Sequence, residues 1–431
     1  MKREYCGNIS EKDEGKTFTV EGWVSEIRDL GKLKFIVLRD STGLMQVVAH
    51  KDKVNAKLFD ALGKISEESA VLVTGKVKAS KQAPGGREIV PEKLEIIAKA
   101  SPLPIDVKEW GKTEISKRLD YRYLDFKNPK VQAIFKIQSE IANSFREFFK
   151  DNGFIEIQTP CIIGSSSEGG TELFPVVYFE KHAFLAQSPQ LYKQMAACSF
   201  EKVFTITPIW RAEKHNTPRH LNEIRQMDIE VAFTDEFGAM KYLEEVLRFI
   251  VKKLNENCKK ELEMIGRKEL KAPGAKYITY AETVKLLKKN KVKINDGDDI
   301  PPEGEKKLGE LFPDSVVFVH DWPLELKPFY IFPKSLDKKE KMSKGFDAIY
   351  GGIEISSGGQ RVHLPELLIE RLKAKGLNPK NFEKYIDSFR YGAPPHAGWS
   401  IGLERLTAII TGQENIREAC MFPRDRDRLT P

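Results

Sequence analysis

The sequence predicts an α+β protein in two units: a small closed β-barrel, then a larger domain of antiparallel strands with segregated helices. Three observations predict it. The first hundred residues are short β-branched runs separated by turn signals. A Pro-rich stretch, SPLPIDVKEWGK (101–112), then interrupts the pattern. From about residue 130, long 3.6-period apolar segments alternate with strand runs joined by hairpin-length loops.

In the first unit, TFTVEGWVSEI, KFIVLRD, GLMQVVAH, AVLVTGKVKA and REIVPEKLEIIA read as strands, with LGK, STG and QAPGG as turns. Five strands with one helical patch over 54–64 suit a barrel of the OB type. We divide the chain into an OB-fold barrel over 1–105, a linker or hinge over 106–130, and a larger domain over 131–431. A Lys-rich, poorly patterned segment near 258–315 reads as a small insertion in that domain. Ile134, Ile137, Ile141, Phe145, Phe148 and Phe149 recur at helical spacing, and Gly153 supplies the stop.

The chain has 431 residues, 41% hydrophobic and 31% charged, with a net charge of +7. These fractions are those of a folded globular protein, and the mild positive charge permits a polyanionic partner without demanding one. No apolar run approaches the roughly 18 residues of a membrane span. The start, MKREYCGNISEKDEGK, lacks the apolar region of a secretory signal, so a cytoplasmic protein is expected. Five scattered cysteines fit neither a disulfide framework nor a zinc knuckle. The parallel-sheet nucleotide signatures GxxxxGKT and GxGxxG are absent from strand–helix junctions.

Chemistry concentrates in three clusters. The first is WRAEKHNTPRHLNEIRQMDIE (210–230), two strands flanking a loop. Period-2 geometry sets Arg211 and Glu213 on one face of the first strand, and Gln226, Asp228 and Glu230 on one face of the second. Arg219 and His220 come from the loop. Phe204, Met227, Ile229 and Val231 commit the opposite face to a core, so the polar face is the floor of a cleft rather than a solvated hairpin. The second cluster, EISSGGQR (354–361) after FDAIYGG, offers Asp347, Glu354 and Ser357 as hard oxygen ligands of the kind magnesium takes. Alone it reads more readily as an ordinary Gly-rich turn, and strand parity separates Glu354 from Ser357 unless a bulge intervenes. The third, PPHAGWSIGLERL (394–406), puts Glu404 and Arg405 in a helix's first turn, a phosphate site or an ordinary helix start. KMSK (341–344) resembles the ATP loop of class I synthetases, but no HxGH-type partner accompanies it, and we read it as chance.

Taken together, the clusters resemble motifs 1, 2 and 3 of the class II aminoacyl-tRNA synthetases, subclass b, most closely the short archaeal and eukaryotic-type aspartyl-tRNA synthetases. The helix ending in GFIEIQTP with Pro160 is similar to motif 1, WRAE…RHLNE to motif 2 and GWSIGLER to motif 3. SEGGTELFPV, QSPQLYKQ, RLDYRYLDF and FPRDRDRLTP extend the likeness over nearly the whole chain.

The resemblance implies ATP-dependent ligation of L-aspartate to tRNA through an aspartyl-adenylate, by a magnesium-dependent homodimer. It implies Arg211 on the ATP α-phosphate, Glu213 on the adenine amino group, and His220 with Arg405 on the γ-phosphate; Asp347, Glu354 and Ser357 would manage magnesium. Glu168, Gln190 and Asp228 would receive the substrate ammonium, and Lys193 and Arg361 its side-chain carboxylate. In the barrel it implies that Phe35 and Gln46 stack on and read anticodon bases, with Arg28 and Glu92 nearby. Proline in the APGG turn, Pro84, resembles relatives that also charge the asparagine tRNA.

Two departures stand out: Ser400 replaces the usual middle glycine of motif 3, and Ile224 replaces an aromatic under the adenine. Two alternatives remain at this point. An asparaginyl-tRNA synthetase shares the motifs, though Lys193 would be a costly unpaired cation facing a neutral amide. A non-catalytic OB-fold nucleic-acid-binding protein would not need Arg211, Glu213, Asp347, Glu354 and Arg405 together.

Overall fold

The computed structural model describes residues 2–164, 172–337 and 339–431. The chain forms two compact units, Met1–Asp106 and Val107–Pro431.

In the first unit, β1 (Thr17–Asp29), β2 (Leu33–Arg39), β3 (Leu44–His50), α1 (Ala56–Leu62), β4 (Ala70–Ala79) and β5 (Arg87–Ala98) follow the expected order. β1–β2–β3–β5–β4 pair in sequence around the sheet, and β4 returns to β1, which closes the barrel. Alternation along β2 and β3 sends Ile36, Leu38, Met45, Val47 and Ala49 inside. Phe35 therefore lies on the outer surface, opposite Arg28 on one side and Val48 on the other. It is not a barrel-core aromatic.

In the second unit, α2 (Ile115–Asp120) and α3 (Arg122–Asp125) occupy what the sequence suggests is a hinge. Both are tied down. Arg118 donates to Asp125 and Glu418 at 2.8 Å each, both buried, and Arg122 reaches the Cys420 carbonyl at 2.8 Å. Arginine's fixed fork lets one side chain join segments some three hundred residues apart, which composition alone does not reveal.

α4 (Pro129–Asp151) starts with an Asn128 cap and Pro129. It ends where Gly153 adopts φ +79° and the Phe154 N–H donates to the Phe149 carbonyl at 3.0 Å. Next come α5 (Gln190–Phe200), β6 (Lys202–Trp210), β7 (Glu223–Ala232) and α6 (Glu236–Asn257). The Lys-rich segment supplies β8 (Gly274–Thr279), α7 (Tyr280–Lys289) and α8 (Pro302–Leu311), with an apolar cluster around Leu287, Leu308 and Trp322. β9 (Ser315–His320), β10 (Gly345–Tyr350), β11 (Ile353–Gln360), α9 (Glu383–Arg390), β12 (His396–Gly402) and α10 (Leu403–Thr411) complete it.

These strands form one sheet in the order β8-β9-β10-β11-β12-β7-β6, with Ile155–Glu156 on the far edge. From β9 to β6 every pairing is antiparallel. One face carries Phe204, Met227, Ile229, Phe346, Trp399 and Ile401 and packs on Phe145 and Phe149 of α4 and Leu243, Val246 and Ile250 of α6. The other face is polar. Because Phe149 is fully buried and its ring meets those of Phe145, Phe154 and Trp399, Phe149→Ala is expected to cost about 3–5 kcal/mol. Urea unfolding of the two proteins measures that difference.

Candidate active site

Strand register assembles the polar face. Thr205, Asp228, Ser400, Ser357 and Asp347 stand directly opposite one another across five strands, from β6 to β10. At the next level, Glu230 faces Gly398. A Cβ at Gly398 would lie 2.4 Å from a Glu230 carboxylate oxygen, so the glycine makes room for that charge.

The bulge that Glu354 requires is present. Ala348 pairs with Ser356 but Ile349 with Glu354, which leaves Ile355 as the extra residue. Directly opposed residues share a face, so Asp347, Glu354 and Ser357 all stand on the polar side while Ile355 enters the core.

A cavity of about 310 Å³ opens on this face. Its wall includes Gln190, Arg211, Glu213, His220, Glu354, Ser357, Arg361 and Arg405 from the residues singled out above, with Arg219, Ile224, Gln226, Ser400 and Glu404. β6 ends at Trp210, so strand parity does not govern Arg211 and Glu213 as expected. They reach the cavity from the loop instead. That loop is braced from within and by the C-terminal segment: Asn222 donates to the Arg211 and Glu213 carbonyls at 2.7 and 2.9 Å, and Arg417 donates to Asn216 at 2.6 Å and to the Thr217 carbonyl at 3.1 Å.

Lys193, Asp228 and Asp347 do not line the cavity and are buried behind its wall. Lys193 Nζ donates to Asp228 at 2.8 Å and to the Trp399 carbonyl at 3.1 Å, and lies 3.6 Å from Glu230. It is therefore not the unpaired cation of the sequence argument, and its presence alone does not exclude a neutral amide substrate. Arg361 clamps Glu230 through Nε at 3.0 Å and Nη2 at 3.3 Å, which leaves Nη1 for a ligand. One Asp228 oxygen and the Gln226 side-chain amide oxygen are buried without a hydrogen-bond partner, two acceptors that lack a donor. Ser400 is engaged too, accepting from Gln226 at 3.1 Å. Glu168 lies outside the described residues.

Several participants were not apparent in the sequence. Glu305, from the segment read as a featureless insertion, accepts from the Glu354 N–H at 3.0 Å and lies 3.7 Å from Arg219. Lys327 donates to Asp347 at 2.6 Å. Neither sits in a motif; only the fold carries them to Glu354 and Asp347.

Charge balance suits an anion. Four arginines and three glutamates line the cavity. Burial and the Asp347 carboxylate push Glu354 up to about 7, and burial pushes Glu404 up to about 7, so at neutral pH neither fully offsets the arginines. Burial pushes the His220 imidazole down, with Glu213 opposing. Among the described residues no group of three or more His, Cys, Asp or Glu could hold a metal by itself. Two carboxylates with a hydroxyl on one face, one of them raised toward neutrality by burial and by the other, do fit a magnesium ion that is shared with phosphate oxygens.

In the barrel, Gln46 donates to Glu88 at 3.1 Å on the same surface as Phe35, and Arg28 pairs with Glu26 at 2.6 Å. Glu92 is exposed at a bulge of β5, four residues beyond Glu88. Pro84 opens a tight turn whose Gly85 and Gly86 have φ of +70° and +75°, and Arg87 donates to its carbonyl at 2.5 Å.

Glu404 yields a test of the electrostatics. Its folded pKa lies above the ordinary value of 4.5, so its contribution to stability is lost as pH rises from about 4.5 through about 7. Glu404→Gln should therefore gain on the wild type by about 1–3 kcal/mol between pH 5 and pH 8, measured by urea unfolding at both.

Comparison with known proteins agrees with this architecture. The model for class II tRNA synthetases (D, K and N) matches residues 114–426, and that for the OB-fold nucleic acid binding domain matches residues 18–97. The aspartate–tRNA(Asp/Asn) ligase of Methanocaldococcus jannaschii is 48% identical, covering 100% of this chain and 98% of the relative. The aspartate–tRNA(Asp) ligase of Pyrococcus horikoshii is 46% identical over 100% of both. Among solved structures, asparaginyl-tRNA synthetase from Pyrococcus horikoshii complexed with asparaginyl-adenylate has a TM-score of 0.95 at 36% identity, covering 100% of both chains. With an anticodon-type OB barrel, a motif-bearing antiparallel sheet and full-length relatives, the chain belongs to the class II aminoacyl-tRNA synthetases of the D, K and N group.

Proposed function

We propose that the enzyme ligates L-aspartate to tRNA in two steps. The aspartate α-carboxylate attacks the ATP α-phosphorus in line, forming aspartyl-adenylate and releasing pyrophosphate. The 3′-terminal ribose hydroxyl of tRNA then takes the aspartyl group and AMP leaves. A carboxylate is already nucleophilic, so the protein's task is alignment and charge neutralisation. Arg211 holds the α-phosphate, Arg405 with His220 the γ-phosphate, and Glu213 the adenine amino group. Asp347, Glu354 and Ser357 would hold magnesium, which would neutralise phosphate charge. Asp228, Gln190 and Glu168 receive the ammonium, and Arg361 receives the side-chain carboxylate, with Lys193 supplying positive potential from behind.

The observation that carries the reading is one cavity in which Arg211, Arg361 and Arg405 converge, in a chain 45–48% identical end to end to aspartate–tRNA ligases. The asparaginyl alternative rests on structural likeness, a TM-score of 0.95 at 36% identity, and falls short of the 45–48% identity shared with the aspartate–tRNA ligases. The enzyme acts as a homodimer in the cytoplasm. Motif 1 would supply the contact, since Ile155 and Ile162, just beyond α4, are exposed. In the barrel, Phe35 stacks on an anticodon base, with Gln46, Arg28, Glu92 and the Pro84 turn around it.

Pyrophosphate exchange with each of the twenty amino acids tests the assignment, with aspartate expected to lead. Lys193→Leu would leave Asp228 buried without its cation, a loss of about 3–5 kcal/mol at the site. Aspartate-dependent exchange should fall by more than a hundredfold while the ATP KM stays within a few-fold; exchange within tenfold of wild type would refute the role.

Proline at 84 removes a backbone donor that could read the third anticodon base. We accordingly expect the enzyme to charge the asparagine tRNA as well, the product then needing amidation elsewhere. Charging purified transcripts of both tRNAs decides this: a preference above ~100-fold for the aspartate transcript, near 3 kcal/mol, would establish strict selection.

A further inference from the structure

Gln190 is the one cavity-lining amide of α5, and a primary amide can present either a donor or an acceptor to a ligand. Which of the two it presents is decided by a chain of hydrogen bonds running away from the cavity. The chain starts at the Pro394 carbonyl, which can only accept. His396 Nδ1 lies 2.8 Å from it and must therefore donate. His396 is fully buried, and burial pushes its imidazole pKa down, so the ring is neutral and Nε2 is left as an acceptor.

Gln194, also fully buried, approaches that Nε2 at 2.9 Å, which requires its amide nitrogen on that side. Its oxygen then faces the other way, where it accepts from the Tyr385 hydroxyl of α9 at 2.8 Å and from Gln190 Nε2 at 2.8 Å. One Gln190 N–H is committed to Gln194, which fixes the nitrogen on that side and leaves its oxygen as the acceptor for the cavity. We propose that His396, Gln194 and Tyr385 are positioning residues that lock Gln190 with its carbonyl oxygen toward the substrate, so that this side of the pocket selects a cationic group. The inference rests on the reading above, in which Gln190 meets the substrate ammonium, and adds what holds it in the productive orientation.

The His396 and Gln190 links are requirements rather than preferences. Turning the Gln194 amide would set its oxygen against the His396 Nε2 lone pair and its nitrogen against the Gln190 donor. Turning Gln190 alone would set two oxygens face to face. Such mismatches in a buried site each cost on the order of a hydrogen bond plus desolvation.

The test separates orientation from packing. Gln194→Met conserves volume and removes every link. Dissociation constants are measured by calorimetry on the full-length protein for aspartate and for succinate, which is aspartate without its ammonium. The expected result is aspartate binding weakened by about tenfold or more, with succinate binding within twofold of wild type. Equal weakening of both ligands would mean a packing role and overturn the proposal, as would unchanged aspartate binding. His396→Leu, which removes the Nε2 acceptor, should give the same selective loss and serves if Gln194→Met does not fold. Gln190→Met distinguishes the two levels of the argument. If it leaves the aspartate-to-succinate ratio unchanged, Gln190 does not meet the ammonium and the site assignment fails. If it lowers the ratio while Gln194→Met does not, the assignment stands and the relay is wrong.

Discussion

Lys193, Asp228, Glu230 and Arg361 bring two cations and two carboxylates beneath and beside one cavity, all nearly fully buried. None could be buried without the others, because an isolated charge in such a place would cost several kcal/mol or shed its proton. The pairing dictates much around it. β7 must present Asp228 and Glu230 on the same face, α5 must lie across that face to deliver Lys193, and β12 must carry glycine opposite Glu230. A site built this way exerts the field of four fixed charges on a small polar ligand without letting water relax around them.

That arrangement is possible because the sheet divides its duties. Aromatic and branched side chains on one face of β6, β7 and β12 sink into α4 and α6, and the anchorage of Trp399, whose indole donates to the Ala239 carbonyl at 2.8 Å, runs through the strand that also bears Ser400. Rigidity on the apolar side becomes precision on the polar side. The bulge at Ile355 is the one local exception to strand parity, and it is what lets Glu354 join Asp347 and Ser357 while a branched residue still fills the core.

The loop between β6 and β7 depends on a different device. It has no regular structure to hold it, yet Asn222, Arg417 and the Arg424 carbonyl tie it to the C-terminal tail. Residues far from the cavity in sequence therefore determine where Arg211 and Glu213 stand. The buried Arg118–Asp125–Glu418 cluster extends the same logic to the segment before α4.

Period and turn chemistry, which are local, made most of this architecture legible from sequence. The barrel strands, the α4 helix with its Gly153 stop, the two-faced β7 and the start of α10 all follow from patterns a few residues long. The motifs likewise named most of the cavity wall, because each keeps its functional residues close together in the chain. Tertiary structure alone decided the rest. It showed that Lys193 is already paired, that Glu305 and Lys327 bond to Glu354 and Asp347, that the expected hinge is docked, and that Phe35 faces outward. Each of these rests on a contact between segments distant in sequence, or on which face of a closed barrel a residue occupies. Local pattern constrains neither, since long-range pairing is set by the register of whole strands and by which buried charge finds its partner.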